Sequence, residues 1–254
     1  MTLWTKETEA AMDVLAINGS ARGDKGVTGR LLAALTAGLN RGGAQVETLA
    51  AAHLDVAPCL ACLSCMLKTP GRCAQADDME RVYAGLRQAR LLVLAAPVYT
   101  DGYPAQLKRV LDRMICAMQP FLAPDADGRL RHPLWWPLPR DFLLLATCGF
   151  PETATFAPLV QTFRAQARNF GARPLAELCV SGSIALQMEP GALEPHLALI
   201  EQAGESLARE GEIPAQLLAA VNRPPLSVDR YLEIGGRYQE LCRRRLAKAG
   251  ERGE

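Results

Sequence analysis

The chain has 254 residues, of which 28 are lysine or arginine and 27 are aspartate or glutamate. This balanced charge, with no basic run longer than Arg243-Arg244-Arg245, gives no reason to expect a nucleic-acid partner or an anionic membrane surface. No apolar run approaches the roughly 18 residues that would cross a bilayer. The polar start Met1 to Ala11 has no apolar signal core, so we expect a cytoplasmic protein whose cysteines are thiols, metal ligands or redox groups.

The hydrophobic pattern predicts strands that alternate with amphipathic helices. A first strand over 13–18 is followed by a helix with leucines at 31, 32, 35 and 39 on one side. Further strands are predicted at Gln45–Ala51, Leu91–Ala96, Phe142–Ala146 and Ala176–Val180. Helices with apolar positions at helical spacing are predicted around residues 79–86, 107–114 and 159–170.

This alternation predicts a doubly wound α/β fold, because neighbouring parallel strands need a crossover helix between them. Five strands fit the flavodoxin-like parallel sheet of order 2-1-3-4-5, whose ligand crevice lies outside the carboxyl ends of strands one and three. We expect an N-terminal extension over 1–11, the flavodoxin-like domain over 12–188, and a helical C-terminal extension over 189–254. Within the domain, Pro120 to Arg140 is one long irregular insertion.

The turn after the first strand predicts a phosphate site. It reads Asn18-Gly19-Ser20-Ala21-Arg22 and is closed by Gly26-Val27-Thr28-Gly29. A strand-to-helix turn directs free backbone N–H groups and the positive end of the helix dipole at one point. The hydroxyls of Ser20 and Thr28 and the charge of Arg22 suit a phosphate there. Neither a Walker loop nor the G-x-G-x-x-G dinucleotide pattern is present.

A second turn, at the end of the third strand, is predicted to lie beside the first one. It carries Pro97, Tyr99 and Gly102, residue types that let backbone and an aromatic ring approach a flat ligand closely. The two turns together fit flavin mononucleotide, with the turn after the fourth strand as a third contact. The candidate cofactor-binding residues are Asn18, Ser20, Arg22, Gly26, Val27, Thr28, Pro97, Val98, Tyr99, Thr100, Gly102, Thr147 and Gly149.

Several motifs, in this order along the chain, resemble the NADPH-dependent FMN reductases and the related iron–sulfur flavoproteins. The motifs are Asn18 to Arg22, the cysteine loop 59–73, Asp77-Asp78-Met79, Ala96 to Tyr99, Leu107-Lys108, Leu111 to Arg113, Gly128-Arg129 and His132-Pro133. The resemblance implies bound FMN, with Ser20, Arg22 and Thr28 at its phosphate and Pro97 to Thr100 at its ring. Where many relatives have Gly-Asn-Thr this chain has Gly26-Val27-Thr28, which removes one amide donor near the phosphate.

The function that follows is an FMN-dependent NAD(P)H oxidoreductase. NAD(P)H would reduce the flavin, and a quinone, nitroaromatic, free flavin or metal complex would then take the electrons. We assign no catalytic side chain, because backbone N–H groups can hold the flavin and solvent can return protons. Family members commonly complete the cleft with a neighbouring subunit, so we expect a homodimer or higher oligomer. An alternative hypothesis from another functional class is a non-enzymatic flavin- or redox-sensing module.

The cysteine loop leaves two alternatives open. Its pattern is Cys59-x2-Cys62-x2-Cys65-x7-Cys73, close to the ferredoxin spacing that binds a [4Fe–4S] cluster. With a cluster, the protein would be an iron–sulfur flavoprotein carrying electrons between a ferredoxin-type partner and FMN. Similar loops in relatives belong to plain flavoproteins, and Cys73 is followed by Ala74 instead of the proline common in ferredoxin-type sites. The balance slightly favours a metal-free loop.

Overall fold

A computed structural model of the chain describes residues 13–125 and 127–251. The predicted N-terminal extension 1–11 lies outside the described residues. The central sheet contains five strands, β1 Asp13–Asn18, β2 Gln45–Ala50, β3 Leu91–Pro97, β4 Asp141–Thr147 and β5 Arg173–Val180. Their order is β2-β1-β3-β4-β5 and every pairing is parallel, which confirms the predicted flavodoxin-like sheet.

Helices connect the strands and continue after the last one. They are α1 Val27–Arg41, α2 Ser64–Leu67, α3 Met79–Gln88, α4 Ala105–Arg113, α5 Ala157–Asn169, α6 Ser183–Met188, α7 Glu194–Glu210, α8 Ala215–Val221 and α9 Val228–Glu251. Short 3-10 turns occur at Gly23–Lys25, Met114–Ala117, Thr153–Phe156 and Pro190–Leu193. The insertion 120–140 contains a two-stranded antiparallel ribbon, Ala123–Pro124 with Leu130–Arg131.

The predicted helices after β1, β2, β3 and β4 are all present, whereas α2 and α6 were not predicted. Both are short, with four and six residues, so neither completes the two turns that make a helical hydrophobic period recognisable. The helices after Glu189 are separated at Pro214 and at Pro224-Pro225, as expected from the missing amide hydrogen of proline.

Alternate residues of the buried strands divide the hydrophobic core between the two faces of the sheet. On β1, Leu15 and Ile17 pack with α3, α4 and α5, while Val14 and Ala16 pack with α1, α7 and α8. Strands covered on both faces have to be apolar throughout, which explains the continuous apolar runs of β1, β3 and β4. Within the described ranges, no helix is both long and apolar enough to cross a membrane.

Helices α1 and α7 pack closely because each has a glycine at the contact. A β-carbon on Gly38 would overlap the carbonyl oxygen of Glu201, and one on Gly204 would overlap that of Leu35. Residues of α7 such as Ile200 and Leu207 share one core with α1 and the sheet. The helix at 194–210 therefore belongs to the packing of the central domain, while the division between residues 188 and 189 stays a prediction.

Replacing Gly38 with alanine should lower the free energy of unfolding by about 1–3 kcal/mol, because the added methyl overpacks the α1–α7 contact. The matched control is Gly236→Ala on α9, where a β-carbon meets no atom of the described residues within 4 Å. There alanine should be neutral or stabilising by up to about 1 kcal/mol through its higher helix propensity. Urea unfolding measures both variants, and equal midpoints for the two would contradict the close packing.

Candidate active site

A cleft lies where the strand order reverses. β1 pairs with β2 on one side and β3 on the other, so the chain leaves β1 and β3 towards opposite faces of the sheet. The two strand ends stay together, since Gly19 N–H donates to the Ala95 carbonyl at 2.7 Å. The resulting cleft has a volume of about 520 Å³. All the predicted cofactor-binding residues line it except Asn18 and Gly102.

Asn18 holds the first turn from its buried side. Its buried side chain accepts the Ser20 N–H at 3.0 Å through Oδ1, and Nδ2 donates to Asp24 Oδ1 at 3.4 Å. Ser20 Oγ in turn accepts the Arg22 N–H at 3.2 Å. These hydrogen bonds between groups of the same turn fix its shape.

The start of α1 opens onto this turn without a side-chain cap. Its N-cap residue is Gly26, and among the described residues no side chain accepts a hydrogen bond from the first turn of the helix. A β-carbon on Gly26 would lie 3.1 Å from Ser20 Oγ, so a larger residue would crowd the turn. Val27 and Thr28 line the cleft beside Arg22. Uncapped N–H groups, the helix dipole and a guanidinium make this corner suitable for an anion.

Helix α6 forms the wall of the cleft opposite Arg22, and a hydrogen bond joins the two. Arg22 Nη1 donates to Oε1 of Gln187. Gln187 also lines the cleft, as do Ser183 and Ile184 of the same helix. The sequence pattern missed this wall because α6 is short and lies more than 150 residues away from Arg22 in the chain.

The second turn is a tight two-residue hairpin. Tyr99 and Gly102 exchange both backbone hydrogen bonds at 3.1 Å. Thr100 and Asp101 both have positive φ, 48° and 59°, a conformation that is unfavourable for residues other than glycine, asparagine and aspartate. Gly102 closes the turn from outside the cleft, and Tyr99, with 46% of its surface exposed, stands on the cleft side. Such backbone strain recurs at binding sites.

The third wall is the end of β4. Thr147 Oγ1 lies 2.7 Å from Thr28 Oγ1 in a buried hydrogen bond that joins this strand to α1. Cys148, which follows, is buried, and its thiol donates to the Phe150 carbonyl at 3.2 Å. Burial raises the pKa of this thiol to about 11, so Cys148 is a neutral thiol and not a thiolate nucleophile at neutral pH.

The cysteine loop lies apart from the cleft and is organised by a buried arginine. Arg113, only 1% exposed, donates from Nη1 to Asp77 Oδ2 at 2.8 Å and to the Ala57 carbonyl at 2.9 Å. Its Nη2 donates to Asp77 Oδ1 at 3.2 Å and to Cys73 Sγ at 3.3 Å. The insertion covers this region, since Trp136 Nε1 donates to the Gly71 carbonyl at 3.0 Å.

The four predicted metal ligands have unlike surroundings. Cys65 is buried and Cys62 is exposed, while Cys59 and Cys73 are half-buried. Burial raises the pKa of Cys65, and the hydrogen bonds of Ser64 lower that of Cys62. Among the described residues, no three metal-ligating side chains are grouped so that they could hold one ion. In this arrangement the four thiols do not form the common ligand set that a [4Fe–4S] cluster needs.

Comparison with known proteins gives relatives of two kinds. Residues 12–129 match the family described as NADPH-dependent FMN reductase. An iron–sulfur flavoprotein of Methanosarcina thermophila is 36% identical over 104 residues, which are 41% of this chain and 53% of that protein. The chain thus spans about half the length of this curated relative.

The solved structures that share the fold include two oxidoreductases. An NAD(P)H:quinone oxidoreductase from Methanothermobacter marburgensis has a TM-score of 0.58 and 15% identity, over 80% of this chain and 100% of its own. An FMN-dependent NADH-azoreductase from Bacillus anthracis, in complex with FMN, has a TM-score of 0.57 and 14% identity, over 78% and 99%. At this identity the two structures support the flavodoxin-like architecture of the chain.

Replacing Asp77 with asparagine should lower the free energy of unfolding by about 3–5 kcal/mol at neutral pH, because it leaves the Arg113 charge buried and unpaired. Burial raises the pKa of Asp77, but hydrogen bonds from Arg113 and from the Ala57 and Met79 amides outweigh it, so the pKa lies below its ordinary value. The carboxylate therefore stabilises the fold above its ordinary pKa, and this stability is lost as the pH falls through the lowered value.

The measurement is urea unfolding of wild type and Asp77→Asn between neutral and strongly acid pH, where the difference between them should shrink. Glu80→Gln, an exposed change in the first turn of the same helix, serves as the control and should lower the free energy of unfolding by less than about 1 kcal/mol. A wild-type and Asp77→Asn difference that stays constant down to the lowest pH would contradict the ion pair.

Proposed function

Because residues 12–129 match the family described as NADPH-dependent FMN reductase, we propose that the cleft binds FMN and that the protein is an FMN-dependent NAD(P)H oxidoreductase. The observation that carries this proposal is that one cleft holds both an anion-binding corner and a strained tyrosine turn. The corner suits the phosphate of a mononucleotide, and the turn suits its flat ring.

The phosphate would lie at the uncapped start of α1. The N–H groups of Val27 and Thr28, the Ser20 hydroxyl and the Arg22 guanidinium would donate to its oxygens. Asn18 would act indirectly, because its side chain accepts the Ser20 N–H and so holds the turn. Position 27 is valine here, where many relatives have asparagine. The site therefore lacks that side-chain amide but keeps the backbone N–H groups as donors.

The ring would lie between the Tyr99 turn and the Thr147–Gly149 segment. FMN, when bound, accepts a hydride from NAD(P)H and passes the electrons on, while the protein binds and orients the reactants. The thiol of Cys148 stays protonated beside this position and offers no base. We therefore assign no catalytic side chain, and the chain's own residues serve binding, orientation and exclusion of water.

The electron acceptor would be a small flat aromatic molecule, such as a quinone, an azo compound, a nitroaromatic or free flavin. Exposed apolar side chains of Tyr99, Phe150 and Ile184 border the cleft and suit stacking or apolar contact with such a ring. The names of the quinone oxidoreductase and the azoreductase with the same fold support this class.

The same exposed apolar border supports a homodimer or higher oligomer in which a second copy covers the cleft. Sedimentation of the holoprotein would decide between monomer and oligomer. A cytoplasmic location stays a prediction.

A second candidate function is an iron–sulfur flavoprotein that carries electrons between a ferredoxin-type partner and FMN. The name of the relative from Methanosarcina thermophila and the four cysteines between residues 59 and 73 favour it. The exposed position of Cys62 and the hydrogen bond from Arg113 to Cys73 favour a metal-free loop. We derive no step through a cluster from this arrangement.

The protein purified without oxygen should be yellow, release FMN on denaturation, contain no stoichiometric iron and oxidise NADPH or NADH when a quinone or azo dye is added. A colourless protein whose spectrum does not respond to added FMN would contradict the proposal. Four irons and four sulfides per chain, lost in Cys59→Ala but not in Cys242→Ala, would establish the iron–sulfur alternative. Bound FMN without any NAD(P)H oxidation would favour a sensing module.

Replacing Arg22 with glutamine should weaken FMN binding about 10- to 100-fold, since a hydrogen bond to a charged group contributes roughly 1.5–3 kcal/mol. Binding of riboflavin, which lacks the phosphate, should change much less. The control Lys25→Gln removes a positive charge from the same turn at a residue that does not line the cleft. Fluorescence titration of apoprotein with FMN and with riboflavin measures all three proteins, and equal losses for both ligands would place the phosphate elsewhere.

A further inference from the structure

Helix α9 packs on the rest of the protein along its first half. Ile234 is fully buried, and the Tyr231 hydroxyl donates to the Gly149 carbonyl at 2.9 Å. From Tyr238 to Ala247, in contrast, every residue is exposed except the half-buried Cys242. The second half of the helix therefore extends beyond the surface that supports its first half. A helical segment of this length is marginally stable in water unless its apolar face is covered.

An apolar stripe runs along the uncovered side of the whole helix. Its large side chains, Val228, Leu232 and Leu246, are 55%, 62% and 72% exposed. The positions follow one another at alternating steps of four and three residues, the spacing that keeps a stripe on one side of a helix. In full, the stripe is Val228, Leu232, Gly235, Gln239, Cys242 and Leu246. A second helix laid along this stripe would bury it.

The stripe is complementary to itself in the antiparallel direction. Its positions are symmetric about residue 237, so Val228 would lie opposite the partner's Leu246, and Leu232 opposite the partner's Cys242. Gly235 would lie opposite the partner's Gln239, where a glycine leaves room for the long side chain. A β-carbon on Gly235 would meet no atom of the described residues within 4 Å, so this position is open to a partner.

The charges of α9 favour the same direction. A parallel pair would bring the three arginines 243–245 of both copies together, and like charges side by side repel each other. Asp229 and Arg243 each follow a stripe position directly, so an antiparallel pair sets Asp229 beside the partner's Arg243. Within the part of the chain that the structure describes, Asp229 forms no ion pair, and Arg243 forms a long one of 3.6 Å with Glu240.

We propose that α9 is an interface with a second copy of this chain, in which the two helices pair antiparallel around residue 237. The second half of each helix then lies along the supported first half of the other. The same surface patch is used by both copies, as in a closed dimer with two-fold symmetry. The pairing does not depend on a bound cofactor, because none of the stripe residues lines the cleft.

Thiol crosslinking tests the register. Oxidation by dissolved oxygen with a copper catalyst should link Leu232→Cys into a covalent dimer, through the introduced thiol and the partner's Cys242. The two thiols of one helix cannot react with each other, because ten residues of helix separate them by about 15 Å, whereas a disulfide joins Cα atoms roughly 6 Å apart. The double variant Leu232→Cys/Cys242→Ala should lose this dimer, and wild type should lack it. Any crosslink through the exposed Cys62 would appear equally in all three proteins.

A crosslinked fraction in Leu232→Cys no greater than in the double variant would overturn the proposal. A wild-type dimer that disappears in Cys242→Ala would overturn the antiparallel direction, because only a parallel pair sets Cys242 opposite its own copy.

Sedimentation velocity tests the strength of the contact. Leu232→Asp should raise the dissociation constant of the dimer about tenfold or more, because the buried leucine is lost from both copies. The control is Leu130→Asp, an equally exposed leucine on the ribbon of the insertion, 62% exposed, which should match wild type. FMN content should stay unchanged in both variants.

A wild-type protein that is monomeric at about 100 μM, or a Leu232→Asp dimer as tight as wild type, would overturn the interface and leave the proposed function intact. So would a monomer that binds vesicles of phosphatidylserine and phosphatidylcholine through Leu232, because the stripe would then cover itself on a membrane surface. Paired α9 helices in a protein that binds no FMN would instead support the interface and contradict the proposed function.

Discussion

The parallel pairing of β1 with β3 is the constraint on which the rest of the structure depends. It sets Asn18 beside Ala95, and the Gly19 N–H then closes the junction on the Ala95 carbonyl. From this point one chain segment turns into α1 and the other into the Tyr99 hairpin. Because the helices that follow cover opposite faces of the sheet, the cleft of about 520 Å³ opens between the two turns.

The walls of this cleft come from parts of the chain that are far apart in sequence. Thr28 and Thr147 are joined by a buried hydrogen bond, Arg22 reaches Gln187 on α6, and α9 reaches Gly149 through Tyr231. The C-terminal helices thus contribute to the cleft as well as to the hydrophobic core. Hydrogen bonds within the protein thus connect the walls of the cleft to one another.

The cysteine loop is organised by a different principle. The buried Arg113 side chain donates hydrogen bonds to a carboxylate, a backbone carbonyl and the sulfur of Cys73. The insertion covers the loop through a hydrogen bond from Trp136. The motif Asp77-Asp78-Met79 therefore has a structural role, in which Asp77 neutralises a buried charge. A linear spacing of cysteines could not reveal this, because Arg113 is 40 residues away from Cys73.

The sequence alone determined the strands, the main helices and the two turns, because continuous apolar runs and helical periodicity are local signals. The sheet order followed from fitting these alternating elements to a doubly wound fold. The sequence also identified eleven cleft residues, all of them at the carboxyl ends of β1, β3 and β4 or in the turns and first helical residues that follow. Tertiary structure alone decided that Asn18 and Gly102 support the turns from outside the cleft, that Cys62 is exposed, and that Gln187 and Tyr231 reach the site. These facts depend on side-chain direction and on contacts between distant segments, for which a single sequence carries no periodic signal.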